Sequence, residues 1–278
     1  MKFAITGKTK LISLLGSPVS HSRSPSMQNG VFEALGLDYV YVAFDVGLDN
    51  VEAAIDGLRA MNFRGSNVTM PLKKVVCQYL DKLTPAAEMA GAVNVIINDD
   101  GVLTGHITDG EGYMMSLVDA GVEYIGKKMI IVGSGGASTA VAIQAAMDGV
   151  RSISIFNHKD AFYSNGERTV EGLRQQIGCE AHMFDLADMN LLRKEMMRSD
   201  IFINATPIGM EETLHESVIP DASYFHKNLI VTDLIYVPVE TKLLKIAKAA
   251  GNKTVNGLGM QLDRKSTRLN SSHRCISY

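Results

Sequence analysis

Cysteine is scarce in this chain. Its three cysteines, Cys77, Cys179 and Cys275, lie far apart in 278 residues, and no Cys-x-x-Cys pair or Cys/His cluster occurs. That pattern argues against a disulfide framework and against a zinc or other metal site, and it suits a reducing, cytoplasmic setting. An excess of one charge is missing too. The formal net charge is −3, so bulk electrostatics give no reason to expect nucleic acid as a partner. The N-terminal stretch MKFAITGKTKLISLLG has no long apolar segment with a small-residue cleavage site, which speaks against a signal peptide. Internal repeats and low-complexity runs are absent. Disorder is not indicated either, because 46% of the residues are hydrophobic, enough to build a sizeable core. The length suits one large domain or two ordinary ones. One uncharged stretch, MIIVGSGGASTAVAIQAAM at 129–147, is long enough to imitate a membrane span. Its central Gly-Ser-Gly-Gly, β-branched front and Ala-rich back read better as strand, turn and buried helix, so no membrane partner is expected.

What is present is alternation. LISLLG (11–16) reads as a strand, followed by a helix in SPSMQNGVFEALG stopped by Gly36. YVYVAFDV (39–46) reads as a strand, NVEAAIDGLRAMN as a helix, and GSNVTM (65–70) as a strand running into Pro71. Proline is favourable at a first helical position, and LKKVVCQYLDKL carries apolar residues at i, i+3 and i+4, predicting a helix. AVNVIIN is a strand and the following DDG a hairpin turn. Thr108 is placed to cap the helix DGEGYMMSLVDAG. Beyond it come strands at 128–132, 152–156, 181–184, 200–203, 229–232 and near 253–255. Helices fall at 136–148, near 167–177, at 187–198 and at 240–250. Repeated βαβ units predict an α/β protein whose rear half is a doubly wound, Rossmann-type parallel sheet.

The loop IIVGSGGAS sets Gly133, Gly135 and Gly136 between strand and helix, followed by Ala137. Gly133 permits a tight turn, Gly135 lets backbone approach a pyrophosphate, and the helix start offers free N–H groups and a positive dipole end. The third glycine of G-x-G-x-x-G is replaced by Ser138, so the fingerprint is imperfect. In the front half, SPVSHSRSPSM packs Ser20, Ser22, Ser24 and Ser26 around a helix start. Hydroxyls there can hold a carboxylate or can simply cap the helix. NVTMPLKK puts Asn67 and Thr69 at a strand end and Lys73 and Lys74 on the next helical turn, where one of the two lysines faces solvent. Asp109 in HITDG stands at the junction of the halves, where a cap and a catalyst are both open readings.

Eight ordered blocks decide between them: GSPVSHSRSP, NVTMPLK, GAVNVI, ITDG, VGSGGAS, NATPIGM, YVPVET and NGLGM. Together they resemble the shikimate dehydrogenase family from about Leu11 to Leu262. NDDG, GASTA and FNHKDAF look most like its quinate/shikimate branch. The resemblance implies a substrate-binding α/β domain, residues 1–108 with 240–262, and an NAD(P)-binding domain, residues 109–239. It implies NAD(P)-dependent hydride transfer interconverting 3-dehydroshikimate and shikimate, 3-dehydroquinate and quinate, or both. It also implies a site in the cleft between the domains. By position, Ser22 and Ser24 would hold the substrate carboxylate, and Thr69, Asn94 and Tyr236 the ring or its hydroxyls. Lys73 and Asp109 would flank the reacting hydroxyl, Thr206 would join the cofactor site, and Gly259 and Met260 would lie against the nicotinamide. A homodimer is left open.

Two other functions fit parts of the pattern. A folate-type methylene dehydrogenase shares the layout, but the Ser-x-Ser loop and NVTMPLK argue against it. A non-catalytic shikimate- or quinate-sensing domain would be expected to lack Lys73 or Asp109, or to carry a DNA-binding segment.

The chain departs from the family in three places. Ile107 stands where an Asn is usual. After NGLGM, Arg264 falls near a position that the family gives to a substrate-contacting Gln, and Gln261 is not at that spacing. The last sixteen residues, DRKSTRLNSSHRCISY (263–278), hold four Lys/Arg and four Ser with no apolar period. They resemble translated adapter read-through and are read as an artefactual, non-family tail. Loss of the closing helix would be expected to weaken stability and substrate affinity.

The stretch SISIFNHKDAF (152–162) bears on the cofactor. A free ribose favours an acidic acceptor at the end of the second strand, whereas a 2′-phosphate favours arginine. Asn157 would serve either. Asp160 is read as close enough to reach the ribose and repel a phosphate, and Lys159 could pair with a phosphate while His158 contributes little. The balance leans towards NAD, with NADP tolerated.

Overall fold

The computed structural model describes residues 4–260; Cys275, the tail and the expectations placed on Gln261 and Arg264 lie outside the described residues. The described chain forms two compact units that meet in sequence at Thr108 and Asp109.

The first unit runs β1 (Lys10–Gly16), α1 (Ser24–Leu35), β2 (Tyr39–Asp45), α2 (Val51–Ala60), β3 (Gly65–Val68), β4 (Lys82–Leu83), α3 (Pro85–Ala90), β5 (Val95–Asp99) and β6 (Val102–His106). Gly36 ends α1 in the left-handed region (φ 68°) and donates its N–H back to the last turn, the usual glycine stop. The sheet order is β2-β1-β3-β5-β6-β4. β1 pairs in parallel with β2 and β3, but β5 runs antiparallel to both β3 and β6. The β5–β6 hairpin turns at Asp100 (φ 51°) and Gly101 (φ 94°), as Asp-Gly pairs favour. The sheet is therefore mixed; β6 is the partner strand of the hairpin expected at DDG, and β4 and α3 are elements that the sequence pattern did not reveal. β4 and α3 span only 2 and 6 residues, too few to show a period.

The second unit runs α4 (Asp109–Asp119), β7 (Lys128–Val132), α5 (Gly136–Met147), β8 (Ser152–Asn157), α6 (Tyr163–Gly172), β9 (Glu180–Asp185), α7 (Met189–Met196), β10 (Ile201–Asn204), β11 (Ile230–Asp233), α8 (Lys242–Ala249) and β12 (Thr254–Val255). Its sheet order is β12-β11-β10-β7-β8-β9, and every pairing is parallel. Counted from β7 this is the 3-2-1-4-5-6 order of a doubly wound dinucleotide-binding sheet. β7, β8 and β10 are almost wholly buried, which explains their unbroken apolar runs. Residues 129–147 are β7, a turn and α5, and among the described residues no helix is long and apolar enough to cross a membrane.

One expected boundary is corrected. Residues 240–262 were assigned back to the first domain, yet the described part of that stretch lies in the second unit. Leu243, Leu244 and Ala247 of α8 join the core formed by Val231, Phe202 and Ile130, and β12 extends the same sheet by pairing with β11. The apolar stripe of α8 has its partner there.

Candidate active site

In the first unit the polar residues gather at the carboxyl ends of β1 and β3. Ser17 donates its N–H to Met70 O (3.0 Å) and Thr69 donates its N–H to Leu15 O (2.9 Å). The two loops lie so close that a Cβ on Gly16 would stand 2.3 Å from Thr69 Cγ2. Ser22 and Ser24 are half-buried, and Ser24 donates its N–H to Ser22 Oγ (3.3 Å). Ser24 is also the first residue of α1.

Lys73 follows a turn rather than standing on an α-helix. Its carbonyl accepts Val93 N–H (2.7 Å), and Cys77 N–H turns instead to Lys74 O (3.4 Å). Losing that i+4 acceptor leaves a short 3₁₀ stretch, Val75–Tyr79. The expected solvent-facing partner is Lys74, which is exposed, while Lys73 is half-buried. Asn94 is fully buried. Its Oδ1 accepts Thr108 N–H (3.0 Å) and its Nδ2 lies 3.3 Å from Thr108 Oγ1, so the Thr108 hydroxyl expected to cap a helix engages Asn94. Nearby, Tyr41 donates its hydroxyl to Asn67 Oδ1 (2.7 Å). Ile107, at the position where an Asn is usual, is buried.

In the second unit the expected residues cluster at the carboxyl ends of β7, β8, β10 and β11. Gly133 has φ 108°, and a Cβ there would meet Ala205 O at 2.8 Å, so backbone geometry and the neighbouring loop both demand glycine. Ser138, the missing third glycine, is buried and donates its hydroxyl to Gly133 O (2.6 Å). Close packing of α5 is met elsewhere: Gly110 of α4 lies against it, where a Cβ would stand 2.1 Å from Ala140 O. A Cβ on Gly135 or Gly136 would meet nothing within 4 Å, and Gly136 and Ala137 are exposed. The first turn of α5 thus presents bare N–H groups to open space, an arrangement that fits a dinucleotide pyrophosphate.

Asp109 is buried and opens α4. Thr206 is half-buried; its N–H (3.1 Å) and hydroxyl (2.7 Å) both donate to Asn204 Oδ1. Tyr236 is exposed. Gly259 packs on α4, where a Cβ would lie 2.6 Å from Ser116 Cβ, and Met260 is buried.

The cofactor-choosing loop differs from expectation. Asn157 is buried, and His158, Lys159 and Asp160 are exposed. The Oδ1 of Asp160 accepts from Asn157 Nδ2 (2.9 Å) and from Phe162 N–H (2.8 Å). It closes its own turn, as Asp does in Asx turns, rather than standing as a free ribose acceptor. Lys159 Nζ lies 3.8 Å from Asp185 Oδ2.

One group was overlooked. Asp233, wholly buried at the end of β11, is raised from the usual carboxylate range to about 6, chiefly by burial and against the hydrogen bonds it accepts. Its signal was the polar residue closing the apolar run LIVTD. Among the described residues no cluster of His, Cys, Asp or Glu could hold a metal ion.

Residues 14–96 match the model of the shikimate dehydrogenase substrate-binding domain. A shikimate dehydrogenase (NADP(+)) from Listeria monocytogenes is 55% identical over 258 residues, 93% of this chain and 89% of that protein. The chain belongs to the shikimate dehydrogenase family. As a member of that family it is an oxidoreductase. A quinate/shikimate dehydrogenase from Escherichia coli is 42% identical over 93% of this chain and 90% of its own length. The crystal structure of a Listeria monocytogenes shikimate 5-dehydrogenase in complex with shikimate and NAD superposes with a TM-score of 0.94, at 53% identity, covering 96% of this chain and 93% of that one. That likeness extends the family's two-domain α/β architecture over both units.

Proposed function

We propose that this chain interconverts 3-dehydroshikimate and shikimate by hydride transfer, with NADP(H) as the preferred nicotinamide cofactor and NAD(H) accepted. The observation that carries the reading is the set of polar side chains at the carboxyl ends of β1 and β3, in a chain 55% identical to a shikimate dehydrogenase (NADP(+)). Ser22 and Ser24 offer hydroxyls beside the start of α1, suited to the substrate carboxylate. Thr69, Asn94 and, in the second unit, Tyr236 offer donors and acceptors for ring hydroxyls. The dinucleotide, when bound, supplies or accepts the hydride. Lys73 meets the negative charge that grows on the substrate oxygen as its carbonyl is reduced, and provides the proton. Asp109 orients that hydroxyl and favours the charged lysine. Gly133, Gly135, Gly136 and Ala137 receive the pyrophosphate, Thr206, Gly259 and Met260 the nicotinamide end, and Asn157 to Asp160 the adenosine ribose.

The NAD preference expected from the sequence gives way to NADP, the cofactor in the name of the 55% identical relative. The NAD expectation rested on Asp160 as a ribose acceptor, and Oδ1 of that carboxylate is taken up within its own turn. Lys159, exposed beside it, is the residue able to meet a 2′-phosphate. The 42% identical quinate/shikimate dehydrogenase makes quinate the second substrate to try. Absorbance at 340 nm with NADP⁺ or NAD⁺ and shikimate or quinate tests the reading. The expected result is fastest reduction with NADP⁺ and shikimate. No reduction with shikimate and either cofactor would overturn it.

A further inference from the structure

Three segments of the second unit meet on one buried carboxylate. Asp233 and its neighbours Asn204 and Thr241 are all 0% exposed. Asp233 Oδ1 accepts from Asn204 Nδ2 (3.1 Å) and from Ile235 N–H (3.0 Å), and Oδ2 accepts from the Thr241 hydroxyl (2.7 Å). Thr241 in turn caps α8 through Leu244 N–H (3.4 Å). Asn204 passes the constraint on. Its Oδ1 takes both donors of Thr206, and its Nδ2 also reaches Ile208 O (3.2 Å). No cation pairs with Asp233 among the described residues.

A buried charge held only by neutral donors is expensive, and an apolar side chain of similar volume often serves stability as well. The carboxylate stands, however, where the loop after β10 carries Thr206 and the loop after β11 carries Tyr236. We propose that Asp233 is a positioning residue that holds these two loops in fixed relation, setting the cofactor contact through Asn204 and the substrate contact through Ile235. The proposal rests on the roles given above to Thr206 and Tyr236.

The donor pattern makes it separable from a purely structural role. Asp233→Asn can turn its oxygen to Asn204 and Ile235 and its amide to Thr241, whose hydroxyl also accepts. Both contacts survive, so both KM values should stay within about threefold of the unmodified enzyme. Asn204→Asp sets two carboxylates against each other and should raise both KM values about tenfold or more. The exchanged pair, Asp233→Asn with Asn204→Asp, keeps one carboxylate. Asp at 204 accepts from Thr206 and from the new amide but sets an acceptor oxygen against Ile208 O, while that amide now faces the Ile235 N–H, donor against donor. The exchange should bring the cofactor KM back most of the way from its Asn204→Asp value, short of the unmodified one because the Ile208 contact stays lost, and leave the shikimate KM raised.

Kinetics on the folded fraction, with calorimetric affinities for NADPH and for shikimate, read this split. Unchanged affinities in Asn204→Asp, or an exchanged pair whose two KM values recover or fail together, would overturn the proposal. If Asn204→Asp does not fold, the exchanged pair carries the same test alone. An unmodified enzyme that binds NADPH but never oxidises shikimate would instead refute the proposed function.

Discussion

The two sheets of this molecule differ in pairing and in what fills their centres: the first is mixed, the second wholly parallel. The first buries polar side chains between its strands. Ser13 donates to Ser66 (2.6 Å) across β1 and β3, Tyr41 to Asn67 (2.7 Å), and Asn94 to Thr108 (3.3 Å). The second has an apolar centre, filled by Ile130, Val132, Phe156, Phe202 and Val231, and its buried polar side chains include Ser154, Asn204, Thr232 and Asp233. The contrast follows the chemistry proposed for each. A small, highly hydroxylated acid must be met by side chains of defined donor and acceptor pattern, and those need fixed partners. A dinucleotide diphosphate is met largely by backbone at the carboxyl ends of parallel strands, so the strands themselves are free to be apolar.

That division can be broken at its strongest point first. Lys73→Ala removes the proposed proton donor from the first unit and should lower turnover about 10²–10⁴-fold. NADPH affinity measured by calorimetry should stay unchanged; near-normal turnover would remove Lys73 from the chemistry. Gly133→Ala attacks the backbone site instead. A side chain at φ 108° with its Cβ 2.8 Å from Ala205 O should cost about 1–3 kcal/mol of folding stability. It should also raise the cofactor KM more than the shikimate KM; a melting temperature and cofactor KM matching the unmodified protein would show that the turn tolerates a side chain.

Asp233 sharpens the comparison through pH. Its folded pKa of about 6 lies above the ordinary carboxylate value of 3.8, so the folded state holds this proton more tightly than the unfolded state. The contribution favours folding below about pH 4 and is lost as pH rises through about 6, amounting to about 3 kcal/mol. Denaturant titrations should therefore show Asp233→Asn gaining stability relative to the unmodified protein between pH 4.5 and 7.5. A pH-independent difference would mean the carboxyl is not raised. The smallest effect concerns the ribose loop. Asp160→Ala should change the NADP/NAD ratio of kcat/KM by less than about threefold, because its Oδ1 already closes the turn. A shift above tenfold towards NADP would restore it as the ribose acceptor.

How much was legible in the sequence depended on range. The glycine turn after β7, the parallel alternation of the second unit and the ordered family blocks all lie in contiguous residues, where local pattern is informative. The mixed sheet of the first unit was harder, because β4 is only two residues long and β5 returns antiparallel beside β3 after a long excursion through β4 and α3. The stripe around Lys73 predicted a helix that Val93 prevents by taking the Lys73 carbonyl, a competitor twenty residues away. The placement of α8 failed for the same reason, since an apolar stripe says that a helix is buried and not against which sheet.

The sequence by itself determined the family, the two α/β units and the identity of the groups proposed to act. These rest on residue types and spacings, which survive without coordinates. Only the tertiary structure decided which of those groups has partners within its own unit. Asp160 and Asp233 look equally available in the chain. Folding turns one into the closure of its own loop and buries the other at the end of β11, where water cannot solvate it and three donors from separate segments must.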